Sequence, residues 1–222
     1  PIVPVTISSA EVSEVYIEQV ETRVGVGADL RFADLSYVNM SNLNLTGANL
    51  KSANLNYTML QGTVLRFADL SHTWLSGADL TGADLRQSGL YVAWLSGADL
   101  TGSNLNGSYL PGANLHDADL SDADMIHAHL HYAILNDANL NSADLSGANL
   151  TYATLTGADL SDTILFSADL SFVDLENATM NGANLTGADL RGANLNGVIW
   201  NYTICPDGTN SDDNGNACEN NL

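Results

Sequence analysis

Apolar residues occupy every fifth position of this chain from Leu30 to Trp200. The register holds over 35 positions, of which 31 are Leu, and a small residue, usually Ala, lies two positions before each of them. On an α-helix five residues turn through about 500°, so these leucines would form no stripe. On a straight strand an odd spacing places successive leucines on opposite faces. We therefore predict that the chain turns once per five residues and stacks on itself as a solenoid.

A second period of twenty residues sets the size of each coil. Bulky residues outside the leucine register recur at this spacing, as Trp74 and Trp94 do, and as Tyr132 and Tyr152 do. At a period of fifteen, Trp74 would align with Gly89 and these matches disappear. We therefore predict four five-residue sides per coil and nearly nine coils, which gives a rod roughly 40 Å long at about 4.8 Å per coil.

The tandem pattern A(D/N)LXX resembles the pentapeptide-repeat family over roughly residues 26 to 202. The resemblance implies an all-β fold, a right-handed quadrilateral β-helix of about nine coils of 20 residues. It also implies that the central Leu and the small residue two positions before it point inward. Large and small side chains that alternate in this way can fill a narrow interior.

Two segments flank the predicted β-helix, which spans residues 27–202. Residues 1–26 lie outside the repeat, and we expect them to cap the open first coil. Residues 203–222 are rich in Pro, Gly, Asn and Asp and contain the only two cysteines, Cys205 and Cys218. We predict one intrachain disulfide between them, with a free-thiol cytosolic protein as the alternative. Because disulfides persist in oxidising compartments, the prediction favours export to the periplasm, the thylakoid lumen or the cell exterior.

The charge balance restricts the possible partners. The chain has 26 acidic and only six basic residues, which gives a net charge of −20. Without a basic patch to neutralise phosphates, we expect no direct binding of nucleic acid. No apolar stretch reaches the 18 residues or more typical of a membrane helix, so we expect no membrane span. No catalytic grouping or phosphate-binding glycine loop is evident, and a filled tube offers no interior pocket, so we expect no enzymatic activity and no required cofactor.

Acidic residues directly before the leucines are predicted to form ladders along the rod. The twenty-residue period places Asp79, Asp99 and Asp119 on one face, about 5 Å apart. Repulsion between like charges at this distance is expected to raise the pKa of these carboxyl groups in the folded state. A raised folded-state pKa favours folding at low pH, and that contribution is lost as the pH rises through the folded value.

One side of the predicted rod departs from the acidic pattern. The twenty-residue period places large apolar side chains in neighbouring outward columns there, and such patches usually mark contact surfaces. Stacking between coils of the same chain, contact with a partner, and stacking against sugar rings are the alternatives. The candidate surface consists of Trp74, Trp94, Tyr91, Val92, Tyr109, Tyr132, Ile134, Tyr152 and Phe172.

Two stretches are candidate metal sites. His127, His129 and His131 alternate with inward residues, so all three imidazoles are predicted to face outward, where weak binding of a divalent cation is possible. In the tail, Asn210, Asp212 and Asn214 partly match a calcium loop, although Asn221 stands where that loop needs a Glu. An Asx-rich turn closed by the disulfide is the alternative for the tail.

These patterns favour a non-catalytic structural or interaction module, an exported acidic rod that docks a protein partner or another copy of itself through its aromatic side. The family resemblance implies an alternative, because certain cytosolic members are similar to B-DNA in width and charge and inhibit DNA gyrase. The net charge of −20 fits such mimicry of DNA. A flat face that binds carbohydrate or ice is a third hypothesis.

Overall fold

The computed structural model describes residues 24–215, 217 and 218, without the side chain of Asn214. The predicted N-terminal cap, residues 1–26, therefore lies almost wholly outside the described residues. From residue 31 to residue 205 the backbone repeats one five-residue unit. Its order is two turn residues, the small residue, one bridge residue and the residue in the leucine position. The bridge residue always comes directly before the leucine position.

Bridge residues that lie twenty positions apart pair with one another in parallel. The ladder begins with Asp29 and Asn49 and ends with Asn184 and Ile204. The leucine N–H of one coil donates to the bridge-residue carbonyl of the next, as Leu30 does to Asn49 at 2.7 Å. Four isolated bridges per coil, and no longer strands among the described residues, make a right-handed quadrilateral β-helix. The predicted coil of twenty residues is confirmed.

Side-chain chemistry explains the Asp or Asn that precedes so many leucines. Its carboxylate or amide oxygen accepts a hydrogen bond from the backbone N–H two residues later, as Asp69 accepts from Ser71 at 2.9 Å. The N–H of the small residue closes the same turn by donating to the preceding leucine carbonyl, as Ala33 does to Leu30 at 3.1 Å. Short polar side chains therefore stabilise the corner that the backbone must turn.

The core consists of the leucine positions and the small positions, both of which point inward. Leucines such as Leu115 are wholly buried, and Ala113 beside it is also wholly buried. Where Thr replaces Ala, its hydroxyl finds a backbone acceptor inside the tube, as Thr58 does by donating to the Leu35 carbonyl at 2.8 Å. The tube is therefore filled by its own side chains, and its polar substitutions are mostly satisfied from within.

The C-terminal end is closed by a return of the chain onto the last coil. Cys205 occupies the leucine register and is wholly buried. The chain then reverses, and Asn210 forms an antiparallel bridge with Ile204. A 3-10 helix follows at Ser211–Asn214, and the predicted disulfide joins Cys205 to Cys218. The antiparallel return covers an edge that would otherwise be open to further strand pairing.

Candidate interaction surface

The predicted aromatic residues lie together along one corner of the square rod. Trp74 and Trp94 are bridge partners in adjacent coils, and Ile134 belongs to the same column two coils further on. The turn residues at this corner include Tyr132 and Tyr152. We call this surface the aromatic strip and define it by Trp74, Tyr91, Val92, Trp94, Tyr109, Tyr132, Ile134, Tyr152 and Phe172.

Ring contacts connect much of the aromatic strip from coil to coil. Tyr132 stacks on Tyr152 with ring centroids 5.2 Å apart, and Tyr152 stacks on Phe172 at 4.9 Å. His131 contacts both Tyr132 and Tyr109 at 5.9 Å. These rings remain about half exposed, from 45% for Tyr109 to 60% for Tyr132. Stacking between coils therefore orders the rings without hiding them from solvent.

The three stacked rings stand on a backbone conformation that bulky residues rarely adopt. Tyr132, Tyr152 and Phe172 have φ angles of 61°, 59° and 58°. The left-handed conformation destabilises an ordinary L-residue by roughly 1–2 kcal/mol. A favourable aromatic pair stabilises the fold by about 0.5–1.5 kcal/mol, which offsets much of that cost. The stack ends where Phe172 covers Gly192, whose ideal Cβ would lie 2.6 Å from the Phe172 ring. Glycine at that position leaves room for the last ring.

The aromatic strip carries no formal charge over five coils. From Trp74 to Tyr152 the strip is formed by segments 71–74, 89–94, 109–114, 129–134 and 149–154, none of which contains Asp, Glu, Lys or Arg, and its last ring, Phe172, lies beyond them. Acidic side chains resume in the same columns at Asp69 on one end and at Asp169 and Asp174 on the other. Val92, also in the strip, is half-buried. The strip is thus an uncharged, aromatic surface on a chain of net charge −20.

The acidic ladder has the predicted register but not the predicted electrostatics. Asp79, Asp99 and Asp119 are successive bridge partners. Partial burial alone would raise the pKa of Asp119, but hydrogen bonds from Ser121, Asn139 and Thr101 outweigh it and lower the pKa below its usual value. For Asp119, the predicted raised pKa is wrong because donors within the rod stabilise the charged form.

The corrected direction reverses the expected pH dependence for Asp119. A lowered folded-state pKa contributes stability that is present above the unfolded value of 3.8. That contribution is lost as the pH falls through the folded value. Asp119 therefore stabilises the folded protein at neutral pH and loses this contribution only in strong acid, opposite to the expectation from charge repulsion.

An arginine pair elsewhere on the rod was not singled out from the sequence. Arg86 and, on the preceding coil, Arg66 both donate to the Asp84 carboxylate, with nitrogen–oxygen distances of 2.7 Å and 2.5 Å. The Arg86 hydrogen bond is the main reason that the pKa of Asp84 lies far below its ordinary value. Because this carboxylate occupies both guanidinium groups, the pair does not form a free basic patch.

The histidine run does not form the predicted metal site. His127 lies in the turn at one corner and His131 in the turn at the next, with His129 on the side between them. Among the described residues, the potential ligand atoms of three His, Cys, Asp or Glu side chains come within 4.8 Å of one another only at His116, Asp117 and Asp137. His129 instead contacts Tyr109, with ring centroids 5.6 Å apart.

The tail residues proposed for calcium serve the turn instead. The Asn210 side chain caps the 3-10 helix by accepting from the Asp212 N–H at 2.9 Å. Asp212 Oδ1 accepts from the Tyr202 N–H at 2.9 Å, which ties the tail to the last coil. The side chain of Asn214 lies outside the described part of the structure. Oδ1 of Asn210 and Oδ1 of Asp212 thus accept from backbone donors, as in the Asx-turn alternative.

The sequence matches the family described as pentapeptide repeats (8 copies), at residues 28–66, 48–87, 63–102, 93–131, 123–162 and 163–199. The chain therefore belongs to the pentapeptide-repeat family, whose members are generally non-catalytic structural repeat proteins. Among curated proteins, a comparison by sequence finds no match. No helix in the described part of the chain is long and apolar enough to cross a membrane.

Solved structures of other pentapeptide-repeat proteins are similar to this chain, HetL and QnrB1 among them. HetL, a pentapeptide-repeat protein involved in heterocyst differentiation regulation in the cyanobacterium Nostoc sp. strain PCC 7120, is 33% identical and has a TM-score of 0.62. The similarity covers 87% of this chain and 97% of HetL. A trypsin-treated variant of QnrB1, a plasmid-mediated fluoroquinolone resistance protein, is 18% identical over 71% of this chain and 86% of its own, with a TM-score of 0.52. At that identity QnrB1 shares the fold alone.

Proposed function

We propose that this protein is a non-catalytic interaction module, an acidic rod that associates side by side with a second copy through its aromatic strip. The observation that carries the proposal is an uncharged run of half-exposed aromatic side chains, five coils long, on a chain of net charge −20. Exposed apolar patches of this size on soluble proteins usually mark interaction sites. Trp and Tyr, which dominate the strip, are common anchors of such interfaces.

The area of the aromatic strip suits a protein interface. Seven of its nine residues are aromatic, and each is about half exposed. Since an aromatic side chain has roughly 150–250 Å² of surface to bury, these seven rings present on the order of 700 Å². A standard interface buries about 800 Å² on each partner. Two strips placed face to face therefore approach the size of a specific interface.

The charge distribution explains why a second copy fits this surface. Two copies of a chain of net charge −20 repel one another, and contact through most faces would bring carboxylates together. Contact through the strip opposes rings to rings and leaves the acidic residues at its two ends, among them Asp69 and Asp169, as the remaining source of repulsion. That repulsion is screened at moderate ionic strength. The proposal therefore includes an association that strengthens as salt is added.

The same distribution favours an interaction module over mimicry of B-DNA. A DNA duplex carries evenly spaced charge, about one per 1.7 Å of its axis. In this chain, residues 24–86 contain five acidic and four basic side chains, whereas residues 87–203 contain 13 acidic and one basic. One part of the rod is nearly neutral and the other strongly acidic, which is unlike the uniform charge of a duplex.

The disulfide supports an exported location for this module. The Cys205–Cys218 bond joins the only two cysteines of the chain. Disulfides persist in oxidising compartments and are rare in the cytosol. We infer that the rod works outside the cytosol, where gyrase would not be available as a target.

The test is the mass of the protein in solution, measured by sedimentation equilibrium over a range of protein and salt concentrations. We expect the wild type to move from 23.4 kDa toward twice that mass as both rise. Replacing Trp74 and Trp94 with Ser is expected to weaken dimerisation by at least about tenfold, since interface tryptophans are common hot spots. The matched control replaces Tyr37 and Tyr57, a stacked and exposed pair outside the strip, with Ser.

Two results would contradict the proposal. A wild type that stays monomeric under all conditions would mean that another protein, or nothing, covers the strip. Equal effects of the tryptophan and tyrosine substitutions would mean that the association does not depend on this surface. Circular dichroism and thermal unfolding of each variant show whether the fold is retained.

A further inference from the structure

We propose that His116, Asp117 and Asp137 form a binding site for a divalent transition-metal ion of the zinc type. The three residues share a corner of the rod different from the aromatic strip. His116 and Asp117 are the two turn residues at this corner in one coil, and Asp137 is the second turn residue at the same corner in the next coil. One potential ligand atom from each side chain lies within 4.8 Å of the other two.

The hydrogen bonding of His116 prepares its outer nitrogen for a cation. Its Nδ1 lies 2.9 Å from the backbone carbonyl oxygen of Asn136. A carbonyl oxygen can only accept, so Nδ1 carries the hydrogen and Nε2 of the neutral ring carries a lone pair. Metal-binding histidines commonly donate their second ring N–H to a backbone carbonyl in this way, because that contact fixes the tautomer and orients the ring.

The lone pair of Nε2 faces another acceptor. Nε2 lies 3.2 Å from Oδ2 of Asp117. Two acceptors at this distance repel one another unless a proton or a cation lies between them. With zinc–nitrogen and zinc–oxygen bonds of about 2.0–2.2 Å, two ligands of one tetrahedral ion lie about 3.4 Å apart. The observed separation is close to that value, so an ion fits between these atoms after a small movement of the side chains.

The next coil carries the second carboxylate and, beside it in the chain, an unsatisfied amide oxygen. Oδ2 of Asp137 lies 3.8 Å from Nδ1 of His116, the nitrogen that carries the hydrogen, so this carboxylate has to turn toward Nε2 to share an ion with it. Gly157, one coil further on, leaves space for this carboxylate, because an ideal Cβ there would lie 2.5 Å from Oδ1 of Asp137. Next to Asp137 in the chain, Oδ1 of Asn136 is buried and has no hydrogen-bond partner in the structure.

The donor set selects a class of metal. One imidazole and two carboxylates suit zinc and its neighbours in the first transition row. Calcium requires six to eight oxygen ligands and magnesium retains most of its water, so neither ion gains much from the imidazole. The three side chains leave a fourth position for water. All three are accessible from solvent, with side-chain exposures of 44% to 61%, so an ion can enter directly.

The experiment is a titration of the intact, oxidised protein with Zn²⁺ by isothermal calorimetry at neutral pH. We expect one site whose affinity falls by at least about tenfold in His116→Ala, Asp117→Asn and Asp137→Asn. The matched controls are His127→Ala, Asp122→Asn and Asp162→Asn, which remove the same groups from turns at other corners. Asp162 is the closest match to Asp137, because it also covers a glycine of the next coil, Gly182. These controls are expected to bind Zn²⁺ within twofold of the wild type.

A second readout examines the proposed ligand atom directly. Nitrogen NMR of the His116 ring is expected to show a shift of Nε2, and not of Nδ1, on addition of Zn²⁺. The affinities for Ca²⁺ and Mg²⁺ are expected to be unchanged in His116→Ala. The proposal is overturned if His116→Ala retains wild-type affinity for Zn²⁺, or if the control substitutions weaken binding as much as those in the cluster.

Discussion

Replacing Leu165 with Ala is expected to lower the free energy of unfolding by about 2–5 kcal/mol, the cost of a cavity in a core that cannot collapse. Leu165 is wholly buried, as are Leu145 and Leu185 at the same position of the coils before and after it. Backbone hydrogen bonds on both sides hold the spacing between these coils, since Leu165 donates to Asn184 at 2.8 Å and Leu145 to Ile164 at 2.7 Å. The lost contacts are therefore not replaced by neighbouring groups.

The neighbouring residue provides the control for this substitution. Ile164 has a side chain of the same size but points outward and is 40% exposed. Ile164→Ala is expected to cost less than about 1 kcal/mol, because surface changes have small effects. The two variants are compared by urea unfolding followed with circular dichroism. Equal losses at the two positions would mean that Leu165 does not lie in a packed interior.

Opening the disulfide is expected to lower the stability of the C-terminal end by about 3 kcal/mol, the loop-entropy value for a ring of this size. Cys205 stands in the leucine register of the last coil, so the bond attaches the tail directly to the core. Repeat proteins are stabilised mainly by contacts between neighbouring repeats. We therefore expect the loss to appear first in the coil that ends at Ile204 and much less near the middle of the rod.

Hydrogen exchange of the wild type with and without reductant measures this effect residue by residue. Amides of residues 184–204 are expected to exchange faster after reduction, while those of residues 109–134 keep their protection. Cys218→Ala removes the bond without altering the buried Cys205, and it is expected to reproduce the exchange pattern of the reduced protein. An unchanged pattern on reduction would contradict the assigned role of the bond.

Most of the fold follows from two periods in the sequence. The five-residue period fixes which side chains point inward, and the twenty-residue period, visible in Trp74 and Trp94, fixes which outward residues become neighbours. The left-handed backbone conformation of Tyr132 and Phe172 was not predicted, because bulky residues rarely adopt it and their presence in a sequence therefore does not indicate it. The conformation is set by the corner, because the second residue of each two-residue turn has a positive φ whatever its type.

The candidate sites could be predicted only where the twenty-residue register determines which residues are neighbours. The register places the residues of the aromatic strip on one corner, since their neighbours lie exactly one coil away or within one turn. It also places Asp137 one coil beyond Asp117, at the corner of the proposed metal site. The histidine run leaves its imidazoles at least partly exposed, as predicted, but they do not converge, because His127 and His131 belong to different corners.

The pKa of Asp119 could not be predicted from the sequence for a different reason. Its register could be derived from the sequence, and so could its acidic neighbours Asp79 and Asp99. The direction of its pKa depends on the distances to donors such as Ser121 and Asn139, at 2.6 Å and 3.1 Å. Hydrogen bonds of this length act on the charged form more strongly than carboxylates one coil away, and only coordinates supply them.

The most direct test of the twenty-residue coil is a distance measured by pulsed electron resonance between spin labels at Asn42→Cys and Asp162→Cys, with the native disulfide kept oxidised. Both positions are exposed turn residues in one column. Six coils at about 4.8 Å each predict a narrow distribution centred near 29 Å. A distribution centred near 38 Å, as eight coils of fifteen residues would give at about the same spacing, would contradict the account.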